Sequence, residues 1–285
     1  MKPARILHII PRIVKGGGSQ SPLNVATYSK NNHKFEHVFL SLKKGETSIL
    51  NKIRDKGFDV IDKPSPNDLL SEIRDADIIQ LEWWNSPITS TFLASNLPPN
   101  RLLIWSHVTG NYPPHVISEA LVNHADHFCV CTKHSLNDPK LNFNPDVSFI
   151  HSPADFSRFK NFQKKNHKNF NIGYIGTIDF AKLPKDFIAL CDNIKIPDAH
   201  FIVCGEGRSL LKVKDESTRS SHSFEFTGYV HDIQQYLERI DIYAYPLNEH
   251  TFAAAEQNIQ EAMWAGIPVV SSPYGGIPFL IQNNE

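Results

Sequence analysis

Glu256 and Glu261 lie in the stretch Tyr243 to Ile277, YAYPLNEHTFAAAEQNIQEAMWAGIPVVSSPYGGI, where residue type and order already suggest chemistry. A short apolar strand, Asp241–Tyr245, ends in Pro246, and an Ala-rich helix read at 254–265 carries both glutamates. Gly266 stops that helix, Pro268 prevents its continuation, and Val269-Val270 open another strand. A helix start at the carboxyl end of a strand presents unpaired N–H groups and a positive partial charge, which suits a diphosphate. Carboxylates on the same helix would repel that anion and instead suit sugar or ribose hydroxyls. For Glu256, favouring the helix dipole is the competing structural role. An anion cradle beside hydroxyl acceptors points to a nucleotide-sugar as ligand.

Three further groups could do chemistry. Gly16-Gly17-Gly18 follows the first apolar strand and precedes a helix starting near Ser21, so Gly17 and Gly18 could let backbone approach a ligand. A purely structural turn fits equally well, since G-x-G-x-x-G is absent. His107 follows the strand Leu102–Trp105; it could exchange a hydrogen bond near neutral pH, or be one satisfied loop histidine among 14. Glu82-Trp83-Trp84 follows the strand Ile78–Leu81, and a carboxylate with aromatic rings suits sugar hydroxyls and sugar faces, unless the rings simply cover the sheet. Asp75-Ala76-Asp77 precedes a strand, so its carboxylates point away from the ligand end, and His124-Ala125-Asp126-His127 lacks the remaining ligands of a metal site. No metal is expected.

The elements that would position these residues alternate along the chain. Strands are read at Ile6–Ile10, His37–Leu40, Asp59–Ile61, Ile78–Leu81, Leu102–Trp105, Phe128–Cys131 and Val147–Ile150, then at Asn171–Ile175, His200–Cys204, Phe224–Thr227, Asp241–Tyr245 and Pro268–Ser271. Helical patterns fit between them, at Ser21–Asn31, Glu46–Lys56, Pro66–Asp75, His115–His124, Pro184–Asn193, Ile233–Arg239 and Ala254–Ala265. That rhythm predicts α/β folding with parallel sheets covered on both faces. Two Rossmann-like domains are expected, 1–152 on the acceptor side and 169–285 for the nucleotide-sugar, joined by a polar, basic linker at 153–168. Their cleft is the expected ligand site.

With 285 residues, 41% hydrophobic and 21% charged, the chain can bury two cores. A net charge of −1 gives no argument for nucleic acid. No apolar run approaches membrane-span length, so the reading is a cytoplasmic protein with at most peripheral membrane contact. Cys129, Cys131, Cys191 and Cys204 have no zinc spacing and read as buried, reduced thiols.

The block E-A-M-x-A-G-x-P-V-V-x-S, beginning at Glu261, resembles the donor-site signature of family 4 glycosyltransferases, retaining enzymes of the GT-B fold. The resemblance covers nearly all of this chain. It implies metal-independent, cofactor-free transfer of a sugar from a nucleotide donor to a hydroxyl on a sugar or lipid-linked glycan, as in polysaccharide biosynthesis. It implies that His107 touches the donor sugar, that Gly176 and Lys182 serve the diphosphate, and that Gly205 forms a Gly-x-Gly turn. The backbone at Tyr229 and Val230 would meet the base, and Glu261 the ribose. Gln257 and Asn258 fall at the helix start beneath the diphosphate. Two departures stand out. Thr177 occupies the place of an expected Arg, and Ala253 the place of the first of two glutamates, whose hydroxyl contact Glu256 or Gln257 could supply. The family continues beyond the Tyr274-Gly275-Gly276 segment, so the second domain is expected to be C-terminally shortened. A homologue that binds a nucleotide or partner without turnover, a nucleotide-sugar epimerase and a phosphorylase are the alternatives on the same fold.

Overall fold

The computed structural model describes residues 3–30, 35–142 and 144–282. The chain divides into two compact units, Met1–Pro153 and Ala154–Glu285. Each is built on one parallel sheet.

The first unit contains β1 (Ala4–Arg12), β2 (Phe35–Lys43), β3 (Asp59–Asp62), β4 (Ile78–Trp83), β5 (Leu102–Ser106), β6 (His127–Val130) and β7 (Val147–Phe149), in spatial order β3-β2-β1-β4-β5-β6-β7. All pairings are parallel. Growth to one side from β1 and to the other from β4 sends right-handed crossovers over opposite faces, and the direction reverses between β1 and β4. Leu7, Ile9, Ile10, Val38, Phe39, Leu40, Ile79 and Leu81 are fully buried, as strands covered on both faces require.

The second unit contains β8 (Phe170–Ile175), β9 (Ala199–Cys204), β10 (Ser223–Gly228), β11 (Ile242–Tyr245) and β12 (Val269–Ser271), in spatial order β10-β9-β8-β11-β12. Its reversal point lies between β8 and β11. Tyr174, Tyr243 and Tyr245 are wholly buried here, with rings stacked at centroid distances of 5.4 and 5.9 Å. All four cysteines are buried and unbridged, and burial pushes the Cys191 thiol up to about 12.

The twelve strands read from periodicity are the twelve present among the described residues; the helices that were read differ mainly at their ends, while the helices Pro87–Leu93 and Leu210–Ser217 were not read at all. The helix expected at Ser21–Asn31 begins at Gly17 and runs to Lys30; Asn31 lies outside the described residues. The one expected at His115–His124 is shortened to Glu119–Asn123, because Ser118 caps it by accepting from Leu121 N. The one expected at Pro184–Asn193 spans Phe187–Asp192. Of the stretch 153–168, read as a linker, Pro153 O accepts from Asn24 Nδ2 at 2.8 Å in the first unit, while residues 154–168 belong to the second. Phe159 is buried in its core, and Lys165 N donates to Glu238 O at 2.8 Å. The aromatic residues of an otherwise basic segment decide where it goes, and Trp264 stacks on Phe156 and Phe159.

Candidate functional site

In the second unit, the helix that carries Glu261 starts at Gln257, three positions later than its Ala-rich sequence implies. The backbone before it is committed elsewhere. Gly276 N donates to Ala253 O at 3.0 Å, Thr251 Oγ1 accepts from Ala253 N at 3.1 Å, and Gln260 Nε2 donates to Ala255 O at 2.5 Å. Glu256 is therefore a loop residue at the helix start, not a helix-face residue as expected.

This placement brings Glu256 to Lys182. Lys182 Nζ donates to Glu256 Oε2 at 2.8 Å, the Tyr245 hydroxyl donates to the same oxygen at 2.6 Å, and each side chain of the ion pair is only 10% exposed. The ammonium also lies 5.4 Å from the Tyr245 ring centre and 5.9 Å from that of Phe252. Burial pushes the Glu256 carboxyl upward, but the charge and hydrogen bond of Lys182 and the Tyr245 hydroxyl outweigh it, so it is held below its ordinary value. Burial, then the negative Glu256, pushes Tyr245 well above its ordinary value, so the phenol keeps its proton. The Lys182 backbone is held too: its N–H donates to Asp179 O at 2.9 Å and its carbonyl accepts from Asn248 N at 2.9 Å.

Around this pair, the loops at the carboxyl ends of β8, β9 and β10 crowd together. Gly176 N donates to Cys204 O, and Gly205 N to Gly228 O. Gly205 has φ +148°, and a Cβ there would stand 1.9 Å from the Gly176 carbonyl oxygen, so only glycine allows this approach. Thr177, which follows Gly176, uses its carbonyl to accept from the Tyr174 hydroxyl at 2.8 Å. Asn258 Nδ2 donates to the Ile175 carbonyl at the end of β8. Gln257 is the first helical residue. Tyr229 and Val230 follow β10; Tyr229 meets His231 edge-on at 5.1 Å, and Val230 packs against the core. Glu261 is buried and paired with Arg158 of the 3₁₀ turn Phe156–Phe159. Arg158 was not singled out from sequence; its only signal was a basic residue between two phenylalanines. Arg208, also missed, extends from the loop after β9 to Asp179 at 2.6 Å.

In the first unit, the site residues gather at the carboxyl ends of β1, β4 and β5. His107 N donates to Trp83 O at 3.1 Å, and its Nε2 lies 2.6 Å from Glu82 Oε2. Its Nδ1 is 3.5 Å from Ser152 Oγ, which donates to Ser21 Oγ at 2.6 Å. Trp84 meets the His107 ring edge-on at 5.4 Å. At Gly18, on the helix Gly17–Lys30, a Cβ would stand 2.0 Å from the Trp84 ring, so glycine there admits the indole.

Two acceptor-side expectations need correction. Glu82 is fully buried, with its carboxylate bonded to His107, His8 and Gln80, and does not face an incoming hydroxyl. Trp83 is also buried, because β4 is covered on both faces of the sheet, while Trp84, just past the strand, lies on Gly18 and His107. His8 and His37, which complete the polar cluster, were missed; histidines inside apolar strands were the signal. Asp77, at the amino end of β4, accepts from Arg5 N at 2.8 Å, away from the carboxyl ends.

The arrangement of the second unit matches known proteins. The family model for glycosyl transferases group 1 matches residues 169–285. No curated protein is significantly similar to the sequence. Among solved structures, Anabaena HepE in complex with UDP-glucose superposes with TM-score 0.78 at 16% identity, over 98% of this chain and 83% of that one. A glycosyltransferase from Rickettsia africae gives 0.74 at 15% identity, over 100% and 83%. The lipopolysaccharide outer core galactosyltransferase WaaB gives 0.61 at 15%, over 98% and 84%. Residues 169–285 thus resemble the glycosyl transferases group 1, and the two parallel sheets are those of the GT-B fold of the superposed enzymes.

Proposed function

We propose that the protein transfers a hexose from a nucleotide-diphosphate sugar to a hydroxyl acceptor, with retention of anomeric configuration and without a metal or other cofactor. The observation that carries this reading is the Lys182–Glu256–Tyr245 cluster at the start of the helix Gln257–Trp264, beside the point where strand order reverses. In open parallel sheets that crevice is where ligands bind. Lys182 supplies a poised cation for the diphosphate, whose negative charge grows as the glycosidic bond breaks. The N–H groups near Asn258 add to it. Glu256 accepts from the donor sugar's hydroxyls and Glu261 from the ribose, with Gly176, Thr177, Gly205, Tyr229 and Val230 shaping the nucleotide site. Within the first domain, 1–152, His107 and Gly17 are the groups assigned to the reacting sugar and the acceptor, and Gly18 admits the Trp84 ring.

HepE has been captured with UDP-glucose and with UDP and glucose, which supports a uridine diphosphate hexose as the first donor to try. The acceptor class is a sugar or lipid-linked glycan, reached from the cytoplasm. Among the described residues, no helix is long and apolar enough to cross a membrane. The test is turnover of UDP-hexoses with a panel of sugar acceptors, following the anomeric proton of the product by NMR, with and without chelator. An α-linked product from an α-linked donor, unaffected by chelator, is expected; inversion, or a need for magnesium, would reject those parts of the reading.

Three features favour a second reading, nucleotide binding without turnover. Lys182 and Glu261 are both held in ion pairs within the unit, and Thr177 offers no positive charge to the diphosphate. Thermal stabilisation by UDP with no sugar transfer or donor hydrolysis would select it.

A further inference from the structure

Glu82 lies at the centre of a buried polar chain crossing four strands. His37 on β2, His8 on β1 and Glu82 on β4 share one face of the sheet, and His107 closes the chain just beyond β5. His37 Nδ1 is 2.8 Å from His8 Nε2, His8 Nδ1 is 3.2 Å from Glu82 Oε1, and Glu82 Oε2 is 2.6 Å from His107 Nε2. Gln80 Nε2 donates to Glu82 Oε1 at 2.7 Å. Burial pushes the Glu82 carboxyl upward, but the bonds and charges of His107 and His8 outweigh it and hold it below its ordinary value.

An ionised carboxylate only accepts hydrogen bonds, which settles where the protons sit. His107 carries one on Nε2, and His8 carries one on Nδ1. If His8 Nε2 is then a lone pair, His37 Nδ1 must donate to it, leaving His37 Nε2 as a lone pair too. That nitrogen is buried without a hydrogen-bond partner. A doubly protonated His8 would instead force an N–H onto that same buried atom, and unpaired buried donors are rarer than unpaired acceptors. Burial, then the neighbouring His8, lowers His37 to about 4, which agrees with a neutral ring.

We propose that Glu82, braced by His8 and His37, is a positioning residue that pins a proton of His107 on Nε2 and so makes Nδ1 the nitrogen offered to a sugar hydroxyl. This rests on the reading that His107 meets the substrate. The ring is fixed from two further sides, by Trp84 at 5.4 Å and Trp105 at 4.9 Å, so the carboxylate sets which edge works. Ser152, near Nδ1, gives its own proton to Ser21 and does not compete as a donor.

Long-range proton–nitrogen NMR on the full chain labelled with ¹⁵N-histidine tests the proposal, with His107 assigned by its loss in His107→Gln. The expected result is a proton on His107 Nε2 that exchanges slowly with water and loses this protection in Glu82→Met. Sugar transfer in Glu82→Met should fall by roughly 10–100-fold, the range for outer groups that orient a ligating imidazole, with affinity for UDP unchanged. A His107 protonated on Nδ1 alone, or a proton equally protected in Glu82→Met, overturns the proposal. Transfer lost in His107→Gln but intact in Glu82→Met also overturns it, whereas transfer intact in both removes the reading beneath it. Should Glu82→Met fail to fold, the wild-type proton position decides.

Discussion

Lys182 and Glu256 are joined across 2.8 Å in a pocket that leaves each side chain 10% exposed, although 73 residues separate them in the chain. The pair joins the loop after β8 to the start of the helix after β11, the two elements that flank the reversal of strand order. A buried pair of this kind adds little net stability, but losing one partner leaves a charge stranded.

Lys182→Ala should therefore do two separable things. Stability should fall by about 3 kcal/mol, the cost of stranding a buried carboxylate, and Lys182→Met combined with Glu256→Gln should recover most of it. Affinity for UDP should fall more than affinity for uridine, since only the phosphates lose a cation. Denaturant unfolding reads the first and calorimetric titration the second. Equal losses for UDP and uridine would argue against a phosphate role.

Glu261→Gln should weaken UDP and uridine alike, by about tenfold, because the ribose is common to both and a charged acceptor becomes a neutral one. Arg158→Ala tests the same carboxylate from its other partner. If uridine affinity is unmoved in Glu261→Gln, the ribose assignment fails.

Gly205→Ala should destabilise the second unit by about 2 kcal/mol or more, combining an unfavourable backbone with a steric clash. The added methyl would stand 1.9 Å from the Gly176 carbonyl, and the loops after β8 and β9 would have to part. Thermal unfolding measures the loss; a wild-type Tm would show that the loops yield without cost.

Acid should destabilise the protein through His37. Its pKa is lowered from 6.5 to about 4 in the folded chain, so between those values the unfolded chain binds more protons. Stability from this group is complete above pH 6.5 and declines as pH falls toward 4. In His37→Phe the slope of Tm against pH across that window should flatten, and an unchanged slope would assign the acid sensitivity to other groups.

Much of this was legible in the sequence, for a physical reason. Strands covered on both faces must be nearly continuously apolar, so runs such as Ile6–Ile10, interrupted only by His8, and Phe201–Cys204 announce themselves, and Gly266 with Pro268 marks a helix end. Gly176, Lys182, Gly205 and Asn258 were named through the family resemblance, and each follows a strand in the chain. What only the tertiary structure decided was which polar groups meet. Sequence assigned Glu82 to an acceptor hydroxyl, but folding turned it inward to His8 and His107. The segment holding Arg158 looked like a basic linker, and its phenylalanines instead bury it against Trp264 beside Glu261. The start of the Gln257–Trp264 helix depends on Gly276 donating to Ala253, a long-range bond that no local pattern encodes. Periodicity reports burial, which is a local average over one element. Hydrogen-bond partners are chosen by packing between elements distant in sequence, and that choice sets the chemistry of His107 and Lys182.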